Sequence, residues 1–180
     1  MVLDIHSNMM QDQFFKDLVV VELASVLAGP SVGRFFAECG ARVIKIENSR
    51  TRGDVTRTWF NSLENKDGIS AYYASVNQGK EVVMLDLSLL SDLQKLEEYL
   101  SLADVVISNY KKESGEKWML NPDQVRKRFP QVIFGYLEAF GDDDNRVAYD
   151  IVLQAEAGYL SMCGTADNPA RLPVAMIDLL

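Results

Sequence analysis

A chain of 180 residues, 48% apolar and 24% charged, is long enough to bury the core of one α/β domain and has the composition of a globular protein. Its formal net charge of −8 argues against nucleic acid as a partner, while leaving room for a small anion held by a local group of cations. No apolar run approaches the roughly 20 residues of a membrane span, and the opening MVLDIHSNMMQDQ has neither the basic region nor the apolar core of a secretory signal. Residues 1–13 read as a loose leader in which the lone His6 is incidental, and 14–180 as one domain.

Leu18–Leu23 is a short β-branched run, the pattern of a parallel strand buried on both faces. Ala28-Gly29-Pro30-Ser31 follows as a turn, with Pro30 at a first helical position that needs no N–H. Val32, Phe35, Phe36 and Cys39 recur at helical spacing, and Gly40 stops the helix. Arg42–Glu47 is a second strand, so the stretch is a βαβ unit with a right-handed crossover. Its first turn points helix N–H groups at the carboxyl edge of the sheet, where doubly wound folds bind ligands. Gly29 is the only glycine of that turn, so GxGxxG is absent and a nicotinamide or flavin site loses its main support. On shape alone a tight turn with no ligand fits equally well. Lys45, Arg50, Arg52 and Arg57 lie on or beyond the second strand, and on charge alone they read as a solvated basic loop.

Residues 51–66 lack periodicity and read as an excursion anchored by Trp59 and Phe60. A helical segment, ISAYYASVNQ, ends near Gly79, and Glu81–Leu87 is the third strand with Val82, Val83, Met84 and Leu85 as its core. Ser88–Leu102 is an amphipathic helix, with Leu89, Leu90, Leu93, Leu96, Leu100 and Leu102 on or near one stripe. Ala103–Ser108 is the fourth strand, Asn109–Leu120 an irregular and partly helical link. Asn121 reads as the N-cap of a short helix, Pro122 as its first residue, and Gln131–Leu137 as the fifth strand. Asp142-Asp143-Asp144 is an acidic turn, Tyr149–Met162 a helix, and Gly164–Pro173 a polar loop. Val174–Leu180 opens a further apolar element. Its Met176, Ile177, Leu179 and Leu180 lead us to expect a longer protein or a second chain packed here. Strand and helix alternate throughout, which argues an α/β fold with an open, mostly parallel, Rossmann-like sheet and helices on both faces. Two cysteines, Cys39 and Cys163, suggest no disulfide framework and fit a reducing compartment, hence the cytoplasm. No Cys/His cluster marks a zinc site, nothing marks carboxylate-bound magnesium, and no metal is expected.

The residues also resemble a family, the class III CoA-transferases related to formyl-CoA and carnitine CoA-transferases. The motifs are LASVLAGPSVGRFFAECGARVIKIEN, GDVTRTW, SVNQGKEVVMLDL, ADVVISNY, AYDIVLQAEAG and LPVAMIDLL. Each is weak alone; in this order, and covering nearly everything after the leader, they are strong. The resemblance implies the first part of an interlocked-dimer fold whose smaller domain and C-terminal return are absent here. It implies an enzyme that moves CoA between carboxylic acids, with acyl-CoA and carboxylate substrates and no resident cofactor. Its assembly would be a homodimer or a pairing with a complementing chain.

Family members place their nucleophilic aspartate shortly after the YDxxxQA helix, and the matching position is Asp178. A carboxylate there would attack the thioester to give a mixed anhydride and then an aspartyl-CoA thioester; from the residues alone Asp178 reads as an ordinary N-terminal helix carboxylate. Val26, Leu27, Lys80, Asn109, Tyr110 and Lys117 match positions of the family's CoA site. Asn48 stands where a relative has arginine, so Arg50 or Arg52 would take over that phosphate contact. Glu138-Ala139-Phe140-Gly141 replaces the common Ser-Gly-Phe-Gly, and a carboxylate in that loop would repel the CoA diphosphate or thiolate. Two rival readings stand beside this one. An α-methylacyl-CoA racemase would need a histidine where Tyr149 stands, and a phenol is a poor base at neutral pH. A non-catalytic CoA-binding module is the other.

Overall fold

A computed structural model describes residues 14–141, 146 and 148–179. The leader with His6 and the acidic turn at Asp142-Asp143-Asp144 lie outside them. Thirteen regular elements follow in order: β1 (Val19–Leu23), α1 (Ala28–Glu38), β2 (Arg42–Asn48), α2 (Ala71–Asn77), β3 (Glu81–Leu85), α3 (Leu90–Leu102) and β4 (Val105–Ser108). The chain then forms α4 (Lys112–Lys117), α5 (Pro122–Arg128), β5 (Ile133–Tyr136), α6 (Asp150–Glu156), α7 (Tyr159–Cys163) and α8 (Met176–Leu179). The chain divides into two compact units, one running to Tyr136 and the other starting at Leu137, where the sequence had suggested one domain from residue 14 on.

All five strands belong to the first unit and pair in parallel in the order β3-β2-β1-β4-β5. Alternation along the strands splits their side chains between two faces. Val21, Leu23, Ile44, Ile46 and Val106 form a core with Leu96 and Leu100 of α3 and Val125 of α5. Glu22 and Lys45 point the other way, under α1, and α2 packs against α1. The helices therefore cover both faces, as the alternation of strand and helix predicted.

Four local expectations need correction. The buried face of α1 is made of Gly29, Pro30 and Gly33, while Phe35 is 56% exposed and Val32 is exposed too. The reason is steric: a Cβ on Gly33 would fall on Glu22 Oε2 and come within 3.1 Å of Lys80 Nζ, so only glycine lets the helix sit over that pair. On β3, Val82 and Met84 share the face of Lys45 and Glu47 by register, but at the sheet edge they are exposed, and Leu85 alone is buried. In α3 only Leu96 and Leu100 are fully buried, and Leu89, Leu90 and Leu102 face outward. The single helix expected over Tyr149–Met162 is two, because Gly158 adopts φ +83 between α6 and α7.

Other expectations hold closely. Asn121 Oδ1 accepts the Gln124 N–H at 2.8 Å, with Pro122 in the first turn of α5. Gly40 leaves α1 at φ +95. The excursion after β2 opens with two tight turns capped by Asn48, which accepts from Arg50 N, and by Asp54, which accepts from Thr56 N. Trp59 is only partly anchored, its ring meeting Tyr72 edge-on at 5.3 Å. No helix among the described residues is long and apolar enough to cross a membrane.

Candidate functional site

Strand order reverses between β1 and β4, with β2 and β3 on one side and β5 on the other, and the chain segments leaving these two strands meet at the carboxyl edge. Asn109, after β4, accepts from Ser25 N at 3.1 Å and donates to Ser25 O at 2.9 Å, tying the two segments together. The next residue, Val26, has φ +72, a conformation unusual for a β-branched side chain. Its N–H points at the Asp54 carboxylate, 3.1 Å from Oδ2 and 3.4 Å from Oδ1. Leu27 then opens α1 with no side-chain cap.

Beneath this turn lies a cluster of four charges. Lys45 Nζ is 2.9 Å from Glu22 Oε1, 3.2 Å from Asp54 Oδ2 and 2.7 Å from Ala24 O. Lys80 Nζ is 2.6 Å from Glu22 Oε2, 2.8 Å from Pro30 O and 3.1 Å from Asn77 Oδ1. The side chains of Glu22, Lys45, Asp54 and Lys80 are 0% exposed. Two carboxylates against two ammonium groups balance, which is what makes burial of so many charges tolerable. Burial favours the neutral form of Lys80 and brings its pKa down to about 8 against the pull of Glu22. Burial opposes the charge of Asp54 too, but Lys45 and the Thr56 N–H and hydroxyl outweigh it and hold this carboxyl below the usual range.

Two adjoining cavities, of about 450 and 480 Å³, open along this edge and share Ile46, Glu47, Asn48, Thr51 and Tyr110 as walls. The first adds Arg50, Lys117, Asp86, Ser88 and Trp118; the second adds Ser25, Arg52, Asp54 and Arg57. Glu47 is occupied: it accepts from Arg57 Nε at 2.7 Å, from Tyr73 OH at 2.6 Å and from Asp54 N at 3.0 Å. Asp86 is held below the usual carboxylate range, first by the Ser88 hydroxyl and N–H and then by the charges of Arg50 and Lys117. Arg50, Arg52 and Lys117 form no ion pair among the described residues, so they are the cleft's available cations. Burial pushes the Tyr110 phenol up to about 12, so it stays neutral, and its ring packs on Trp118.

The first unit thus brings Arg50, Arg52, Tyr110 and Lys117 to one cleft, and it gives other employment to the remaining expected contacts. Lys80 is drawn into the buried cluster, with three acceptors around its ammonium, rather than presented to a phosphate. The Asn109 amide is used on the Ser25 backbone. Val26 and Leu27 shape the turn, and its cavity wall is Ala24 and Ser25. Lys45 and Arg57 are not solvated loop cations, since both are paired with carboxylates. Sequence reasoning missed Glu22, Asp54 and Glu47. The signal was present for the first: Glu22 stands among the apolar residues of β1 and Lys45 between Ile44 and Ile46 of β2, directly opposite in register.

In the second unit, Asp178 lies in α8. Asp150, at the start of α6, accepts the N–H groups of Ile177 at 2.8 Å and Asp178 at 3.3 Å. Its other oxygen accepts from the Gln154 amide, which also donates to Val174 O at 3.3 Å, while Gln154 Oε1 accepts from Leu172 N at 2.8 Å. This clamp fixes the strap that carries Asp178. Burial, and then the Asp150 charge, raise the Asp178 carboxyl above the usual range, and no cation pairs with it among the described residues. A carboxylate so placed is more basic and less stabilised than a solvated one, which suits a nucleophile. Glu138 is exposed in this unit. Among the described residues no group of three or more His, Cys, Asp or Glu could hold a metal ion.

Comparison with known proteins gives a consistent result. The sequence profile of CoA-transferase family III matches residues 15–180. The chain is 34% identical over 168 residues to a succinate–glutarate CoA-transferase of Agrobacterium fabrum, covering 89% of this chain and 42% of that protein. It is 32% identical to a succinyl-CoA:mesaconate CoA-transferase of Haloarcula hispanica, covering 85% and 40%. Among solved structures, a CAIB/BAIF family protein from Brucella suis superposes with a TM-score of 0.80 at 33% identity, over 90% of this chain and 44% of the other. The Mycobacterium tuberculosis protein Rv3272 gives a TM-score of 0.79 at 29% identity. The chain therefore spans about two fifths of the length of the curated relatives it matches.

Proposed function

The chain belongs to CoA-transferase family III, and on that footing we propose that it carries the CoA-binding cleft and the nucleophile of an enzyme moving CoA from an acyl-CoA to a free carboxylic acid. The observation that carries this reading is Asp178, a half-buried carboxylate with no cation partner among the described residues and a raised pKa, at the position where the family's nucleophile is expected. The cleft supports it: Arg50, Arg52 and Lys117 offer the phosphates of CoA positive charge held in no ion pair among the described residues, and Tyr110 and Trp118 line the wall beside them.

In the proposed reaction Asp178 attacks the thioester carbonyl, forming a C–O bond and breaking the C–S bond, so that a mixed anhydride and CoA thiolate result. The thiolate attacks the aspartyl carbonyl, expels the donor acid as its carboxylate and leaves an aspartyl-CoA thioester. The acceptor carboxylate repeats the cycle in the opposite sense, and Asp178 is regenerated as the new acyl-CoA departs. The relatives' names carry succinate, glutarate and mesaconate, so we propose dicarboxylic acids as the substrate class. We propose the cytoplasm as its place, and a homodimer or a pairing with a complementing chain as its assembly.

The test is to incubate the chain with succinyl-CoA and carbon-labelled glutarate and follow label into CoA ester. Transfer that disappears in Asp178→Asn supports the reading. Deuterium wash-in at an α-carbon without transfer would overturn it in favour of a racemase, and CoA binding with neither would leave a binding module.

A further inference from the structure

We infer that Asp54 is a positioning residue, whose carboxylate holds the Val26 peptide in the left-handed region and thereby fixes the turn after β1 in the form that receives CoA. The inference rests on the CoA reading of the cleft. At φ +72 a valine places its branched Cβ against the neighbouring carbonyl, and a turn needing this conformation would ordinarily carry glycine. Such a residue persists only where its surroundings over-determine it.

Here the surroundings do so residue by residue. Lys45 donates to Ala24 O at 2.7 Å, Asn109 takes both the N–H and the carbonyl of Ser25, and Asp54 takes the N–H of Val26. Two consecutive peptides, 24–25 and 25–26, are thus gripped on both their N–H and C=O sides by side chains from β2, from the residue after β4 and from the turn after β2. Asp54 is gripped in its own right. Its Oδ1 accepts the Thr56 N–H at 3.0 Å and hydroxyl at 2.8 Å, its Oδ2 faces Lys45, and its own N–H is held by Glu47. Gly53, at φ +93, lets the chain reach this position, because a Cβ there would fall on Glu47 Oε2. Asp54 and Ser25 also line the same cavity, so moving the carboxylate moves the wall against which the ligand would lie.

The test uses the full chain in four forms: wild type, Asp54→Asn, Val26→Gly and the double variant, with CoA affinity by calorimetry and stability by urea unfolding. We expect Asp54→Asn to weaken CoA about 10-fold or more and Val26→Gly to change it by less than about threefold. In the double variant most of the lost affinity should return, because glycine adopts the turn without being held there. Loss of buried charge alone would not be rescued at a separate residue. Thr56→Ala, which loosens the carboxylate and keeps every charge, serves if Asp54→Asn does not fold, and should show a weaker loss with the same rescue. Additive effects in both affinity and stability would overturn the inference, as would unchanged affinity in folded Asp54→Asn. If wild type fails to bind CoA the coenzyme reading falls, and the stability cycle alone decides whether Asp54 imposes the Val26 conformation: coupling supports it, additivity refutes it.

Discussion

The two units of this chain are held together by different means. In the first, apolar side chains from both faces of a five-stranded sheet are buried, and the charges placed among them are matched. In the second, no buried apolar residue is found among those described, and the one fully buried side chain is the polar Gln154, which orders its neighbours by hydrogen bonds. Ile151, Val174 and Leu179 stay exposed there, and Met162 is 77% exposed. The difference teaches that rigidity resides where the proposed coenzyme cleft is built, and that the strap bearing the proposed nucleophile depends on a few polar contacts. Contact-poor elements of that kind open first in native-state exchange.

The largest effect we expect from breaking this contrast is in the first unit. Lys45→Met strips two buried carboxylates of a partner and should cost about 3–5 kcal/mol in urea unfolding. A cost under about 1 kcal/mol would mean that the cluster is incidental. Next, Leu100→Ala should cost about 2–5 kcal/mol as a cavity in the core, whereas Met162→Ala should stay within about 0.5 kcal/mol. Equal costs would erase the distinction between the units. In the cleft, Arg50→Ala or Lys117→Ala should weaken CoA about 10-fold, and the gap to wild type should narrow as salt is added. The exposed pair of Arg42 with Glu81 marks the low end, and Arg42→Ala should cost no more than about 1 kcal/mol.

Acidity separates the units as well. The Asp54 carboxyl is lowered in the folded state, so its stabilisation is complete above the ordinary carboxylate value and is lost as pH falls through the lower folded value. The Asp178 carboxyl is raised, so its charge costs stability at neutral pH, and that cost disappears as pH falls below the raised value. Asp178→Asn should therefore be more stable than wild type at pH 7, by a small margin given partial exposure, and should lose that advantage on acidification. The reverse order of stabilities would contradict the placement of Asp178.

Much of this architecture was legible in the sequence because it is local. Short β-branched runs, the Asn121–Pro122 cap and Gly40 each act within a few residues, and they placed strands and helices nearly where they are. What escaped depends on partners far along the chain. Phe35 carries a helical apolar stripe outward because Glu22 and Lys80 occupy the space beneath α1, and no periodicity along α1 reports that. Lys80 and Asn109 matched a binding pattern by position, yet their polar atoms are spent on Glu22 and on the Ser25 backbone. Gly158 was visible as a residue, but its break of the helix follows from a positive φ that only the fold selects. Asp178 could be proposed by resemblance alone, since nothing in its neighbouring sequence distinguishes it from a helix carboxylate.

The claim on which the functional account turns is that the Asp178 carboxylate becomes covalently acylated. Incubating the chain with succinyl-CoA, quenching with hydroxylamine and mapping the peptides by mass spectrometry tests it directly. The account predicts a hydroxamate on Asp178, absent from Asp178→Asn and absent without acyl-CoA. An unmodified Asp178 in a chain that demonstrably transfers CoA, or a hydroxamate on a different carboxylate, would contradict it.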